Sequence, residues 1–181
     1  MASSLNPSTF AAAVTFTATV TSTGGTPTGT VTFKDGASTL STATLASGKA
    51  TFKTSALAVG VHSITAIYGG SGNFNGSTSS ALTETVHKAN SSAAVTSSLN
   101  PSSFGTVVTF TATVSSTAGT PGGTVTFKDG ASTLGTGTLA SGKATFKTST
   151  LAKGTHSVRA TYPGTVNFNG SSSAVLSQVV K

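Results

Sequence analysis

The sequence predicts an all-β chain of two tandem antiparallel β-sandwiches with about seven strands each, and three observations carry that prediction. First, Ser3 to His87 aligns without a gap on Ser97 to Lys181, with roughly 60 of about 85 positions identical, the self-similarity of a repeat array. Second, apolar residues alternate with threonine and lysine at period two in each copy, as half-buried strands require. Third, Gly, Pro, Ser and Asn interrupt these runs at short intervals, as turns do in a sandwich. The modules are predicted at residues 1–88 and 93–181, with a short linker at 89–92. A module of about 90 residues is long enough to bury one core without a metal or disulfide.

The elements follow in order. An opening strand lies around Ser4 to Phe10 and is broken by Pro7, which has no N–H for a ladder. Val14 to Val20 and its copy Val108 to Val114 place valine, phenylalanine and alanine on one face and threonine on the other. Thr30 to Lys34 ends at Asp35-Gly36, repeated at Asp129-Gly130, a hairpin-turn pair. A second hairpin turns at Ser47-Gly48, or Ser141-Gly142, and returns along Lys49 to Lys53, or Lys143 to Lys147. His62 to Tyr68 puts His62, Ile64, Ala66 and Tyr68 on one face. A loop from Gly69 to Gly76 then leads into the last strand, Ala81 to Val86.

Charge and composition exclude several classes. The net charge of +7 arises from ten scattered Lys and Arg against three acids; nucleic-acid sites gather such charges around aromatics, so no nucleic-acid partner is expected. No apolar run is long enough to span a bilayer, and Met1 to Phe10 lacks the basic start and apolar core of an export signal. There is no cysteine, which removes disulfides and thiolate metal sites. Leu5 stands close to Met1, whereas its counterpart Leu99 follows the run Ala93 to Thr96. The chain therefore reads as an excerpt from a longer array.

The carboxyl groups offer little catalytic chemistry. Acid–base work needs paired groups in one pocket, yet the acids are only Asp35, Asp129 and Glu84. The two aspartates read as turn formers, remote from the histidines. Glu84 shares a strand face with Leu82 and Val86 and reads as a strand-end carboxylate reaching water. Its counterpart is Gln178, which cannot act as an acid. No catalytic residue, cofactor or metal is expected. His62 and His156 are read as structural corners that hydrogen-bond back to the preceding loop. Phe74 and Phe168, in the loop before the last strand, read first as plugs for one end of the sandwich; the alternative is ligand contact, for which they are the aromatics considered.

The run Leu57 to Tyr68, followed by Gly70 and Asn73-Phe74, resembles the signature of bacterial Ig-like repeat domains of the group 3 type. Its partner runs from Leu151 to Tyr162 with Gly164 and Asn167-Phe168. The openings Ser4 to Ser8 and Gly29 to Gly36 resemble the same family, so the likeness covers nearly the whole chain. It implies two immunoglobulin-like sandwiches within a bacterial extracellular or cell-surface protein. The function implied is a non-enzymatic structural stalk, with adhesion as a further role. Alternatives are a glycan- or receptor-binding module using the loops that carry Phe74 and Phe168, and a subunit of an extracellular filament. The expected partners are neighbouring Ig-like repeats, surface glycans, and further copies of the chain through exposed edge strands.

Overall fold

The computed structural model describes residues 1–181. It consists of strands and turns, and no helix is long and apolar enough to cross a membrane. The chain divides into two compact units, Met1–His87 and Lys88–Lys181.

The strands of the first unit are β1 (Ala2–Ser3), β2 (Ser8–Thr9), β3 (Val14–Thr19), β4 (Thr30–Asp35), β5 (Ser38–Thr44), β6 (Lys49–Thr54), β7 (Gly60–Tyr68), β8 (Ser77–Thr78) and β9 (Leu82–His87). One sheet has the order β1-β3-β6; the other runs β2-β9-β7-β4-β5, with β8 also paired to β7. The alternation read from the sequence sets the inner faces. Val14, Phe16 and Ala18 on β3 and Ala50 on β6 are buried together with Val31 and Phe33 on β4 and Ile64, Ala66 and Tyr68 on β7. Phe52 closes this layer, its ring centroid 6.4 Å from that of Phe16 and 5.9 Å from that of Phe33.

Two local expectations change. The opening strand is two short pieces in different sheets, β1 on β3 and β2 on β9, because the chain crosses the sandwich around Pro7, where no ladder donor is available. The first hairpin turns one residue later than expected. Asp35 stays in β4 opposite Ser38, and Gly36 (φ 54°) takes the left-handed backbone that the turn needs. The second hairpin uses Ser47 (φ 49°) and Gly48 (φ 73°), both left-handed as a two-residue turn between twisted strands requires.

The second unit repeats the plan with β10 (Ser92–Ser97), β11 (Val108–Ser115), β12 (Thr124–Asp129), β13 (Ser132–Thr138), β14 (Lys143–Thr148), β15 (Gly154–Tyr162), β16 (Ser171–Ser172) and β17 (Leu176–Val180). Its sheets are β10-β11-β14 and β13-β12-β15-β16, with β17 on β15. Residues 89–92, expected as a linker, are instead built into this unit. Ala89 is buried, its N–H donates to Asn167 O (2.9 Å) and its carbonyl accepts from Asn169 N (2.8 Å). Short alternating polar and small residues look like a linker in sequence, but here their backbone groups find partners on a loop some 80 residues away, beyond the reach of any local pattern.

The expected consequence is that Lys88–Lys181 expressed alone melts cooperatively with a β-type circular dichroism spectrum. Deleting Lys88 to Ser92 should lower its melting temperature, because buried backbone groups lose their partners. An unchanged midpoint after the deletion would return the segment to the role of a linker.

Candidate functional site

Each unit has a polar node where the first hairpin meets the long strand beside it. Antiparallel pairing sets Asp35 opposite Ile64, next to His62, so the aspartate is not remote. His62 Nδ1–H donates to Asp35 Oδ2 at 2.6 Å, and Ser63 N–H donates to Asp35 Oδ1 at 3.1 Å. On the other side of the ring, Nε2 lies 2.9 Å from Ala58 O in the preceding loop. The second unit repeats the arrangement with His156 Nδ1 to Asp129 Oδ2 (2.6 Å), Nε2 to Ala152 O (2.8 Å) and Ser157 N to Asp129 Oδ1 (2.8 Å). The missed signal was register: only strand pairing shows that a residue at the end of β4 faces the start of β7.

This geometry selects the charged ring. A carbonyl oxygen and an aspartate oxygen both accept, so both ring nitrogens must carry protons. Burial opposes charge on His62, but the hydrogen bonds to Ala58 O and Asp35, with the negative charges of Asp35 and Glu84, outweigh it and raise its pKa above 6.5. For His156 the bond to Ala152 O contributes most, followed by that to Asp129, and its pKa is raised as well. The same geometry opposes a nucleophilic triad, since the nitrogen that would accept a serine proton faces a backbone carbonyl. Hydroxyl anchors reinforce the opposite end of the strand: Tyr68 donates to Thr28 O (2.7 Å) and Tyr162 to Gly122 O (3.0 Å).

A pKa raised on folding stabilises the native state fully below the unfolded value of about 6.5, and that contribution disappears as pH rises through the folded value. The melting temperature of the chain should therefore fall between pH 6 and pH 9 in a thermal scan. His62→Gln with His156→Gln should flatten that slope. His156→Ala should cost its unit about 1–3 kcal/mol, the scale of a buried hydrogen-bonded group.

A second node ties the opening strand to the last one, and here the two copies differ. Glu84 is fully buried rather than reaching water. Its position on β9 opposite His62 turns it inward between the sheets. Ser3 Oγ donates to Glu84 Oε2 at 2.8 Å, while Glu84 Oε1 and Ser8 Oγ are buried with no hydrogen-bond partner. In the second unit the Gln178 amide satisfies the same surroundings. Its Oε1 accepts from Ser97 Oγ (2.6 Å), and Nε2 donates to Leu99 O (2.9 Å), Val179 O (3.2 Å) and Ser102 Oγ (3.3 Å). Both nodes pin a crossing whose asparagine side chain bridges the strands, Asn6 to Thr83 O and Asn100 to Ser177 O.

An unpartnered buried polar atom costs about 1–3 kcal/mol. Glu84→Gln should stabilise the first unit by that order, and Gln178→Glu should destabilise the second. Denaturant melts of the two single variants measure both effects, and equal midpoints for each variant and its parent would contradict the account.

The loop aromatics lie in unlike surroundings. Phe168 is 7% exposed and sits behind Ala89, whereas Phe74 is half-buried at the wall of an open groove of about 370 Å³. The basic residues Lys49 and Lys53 stand across from Thr19 and Thr15 on an outer sheet face.

The family model described as bacterial Ig-like domain (group 3) matches residues 1–87 and again residues 95–181. No curated protein sequence matches the chain. Among solved structures, the fibronectin(III)-like modules of Clostridium thermocellum CbhA are 20% identical, with a TM-score of 0.41, over 98% of this chain and 90% of that one. The ectodomain of mouse nectin-like molecule 4 is 12% identical, with a TM-score of 0.38, over 97% of this chain and 61% of that one. A chimeric titin Z1Z2 tandem is 16% identical, with a TM-score of 0.37, over 97% of this chain and 94% of that one.

Proposed function

Because the chain belongs to the bacterial Ig-like domain family, group 3, with two copies in tandem, we propose that it is a non-enzymatic, force-bearing spacer in a bacterial extracellular or surface protein. The location draws on the common occurrence of such domains in proteins of that kind. The observation that carries the mechanical reading is that, within each unit, the later piece of the opening segment runs parallel to the last strand. Ser8 and Thr9 lie beside Val86 and His87, and Phe10 N–H donates to His87 O at 2.8 Å. In the second unit Ser102 bridges Val180 in parallel, supported by Ser102 N to Val179 O (2.9 Å), Lys181 N to Ser102 O (2.8 Å) and Phe104 N to Lys181 O (2.8 Å).

Strands that run the same way enter at one pole and leave at the other. Tension applied through the two ends of a unit therefore shears these hydrogen bonds together instead of opening them one at a time. The buried carboxyl and amide side chains belong to the last strand of that pair and would carry part of that load.

Pulling a single chain from both ends tests this. Two unfolding events are expected, each lengthening the chain by roughly 250–300 Å, as about 90 residues at about 3.4 Å each less the folded span require. Extension without a resolvable force peak would overturn the reading.

A further inference from the structure

In the second unit an extended segment occupies a surface that the first unit builds from matching residues. In the second unit the segment Lys88–Ala94 runs extended across the loop that carries Phe168 and then along the edge of β11. Lys88 Nζ donates to Thr165 O (2.7 Å), and Ala89 exchanges backbone hydrogen bonds with Asn167 and Asn169. Asn90 Oδ1 accepts from Asn169 Nδ2 (2.9 Å), and Ser91 Oγ donates to Asn169 O (2.7 Å). Ser92, Ala93 and Ala94 then pair with Ser115, Val114 and Thr113.

In the first unit the positions equivalent to that seat line two adjoining open grooves of about 300 and 370 Å³, which share Val20, Thr21, Tyr68 and Ser77. Asn73, Phe74 and Asn75 stand where Asn167, Phe168 and Asn169 hold Ala89, and Val20 stands where Val114 pairs with Ala93. The consequence appears in burial. Val114 is 2% and Phe168 7% exposed, whereas Val20 and Phe74 are only half-buried. Strand β1 covers β3 only opposite Thr17 and Phe16, so the remaining edge presents backbone groups aligned for one more stretch of strand.

We propose that this groove is a socket for an extended polypeptide segment of the Lys-Ala-Asn-Ser-Ser-Ala-Ala type, the run that follows the last strand of a repeat of this kind. Small residues are required where Ala89 and Ala93 sit against the sandwich. The asparagine and serines supply the polar contacts to the loop, and a lysine caps the loop carbonyl. The inference deepens the spacer reading: repeats would join by seating the exit segment of one in the groove of the next. It takes Phe74 as part of a protein-binding surface rather than a sugar platform.

The test places those seven residues directly ahead of Met1, the register in which Met1 corresponds to Val95. Covalent attachment supplies the effective concentration that a free heptapeptide lacks. The amide of Asn75, equivalent to the Asn169 N–H that donates to Ala89 O, should exchange with deuterium at least about tenfold more slowly than in the parent chain. The melting transition of the first unit should rise. A second variant with aspartate at the place of the Ala89 equivalent should restore fast exchange at Asn75. Unchanged exchange at Asn75 in the extended chain would overturn the proposal, as would equal protection by the aspartate variant or displacement of the segment by a surface glycan. These readouts involve no force, so failure here is separable from failure of the force-bearing reading.

Discussion

Each unit depends on burying one thin apolar layer between two sheets whose outward strand positions are mostly Thr, Ser and Lys. Its largest buried side chains are Phe16, Phe33, Ile64 and Tyr68 in the first unit, and Phe110, Phe127 and Tyr162 in the second. Each large side chain contributes about 1.5–3 kcal/mol on burial, against an ordering cost of about 1–2 kcal/mol for every residue fixed. With so slim a core, the polar contacts at its margins weigh heavily in the net stability. This is why the nodes recur at the places where a strand changes direction or sheet.

The margins are tied in complementary ways. The histidine node joins the end of the first hairpin to the loop before β7 or β15, and its ring bridges two acceptors that would otherwise be left facing each other. The tyrosine hydroxyl fastens the far end of the same strand. The carboxyl or amide node holds the opening strand against the last one, beside the parallel pair through which tension on a unit would pass. The long central strand is therefore anchored at both ends, and the chain's entry and exit are clamped to each other. Tension applied through the two ends of a unit would meet those two regions first.

The duplication serves as an internal comparison. Glu84 and Gln178 occupy the same place with nearly the same shape, and differ in whether the second polar atom finds a partner. Likewise the socket beside Phe74 and the occupied seat beside Phe168 are built from matching residues.

Much of the molecule was determined by the sequence alone. Period-two alternation decides which side chains face inward, because successive residues on a strand point to opposite faces. Glycine and serine at left-handed positions decide where the second hairpin closes, and the gapless repeat decides that there are two similar units. Three features needed the tertiary structure. Asp35 reads as a turn former, yet strand register brings it to His62 across 27 residues. Glu84 reads as a surface acid, yet the crossing of the opening strand closes over it. Lys88 to Ser92 reads as a linker, yet a distant loop supplies its backbone partners. In each case the deciding contact joins segments far apart in the chain, and local sequence specifies a residue's face and conformation but not which distant group will meet it.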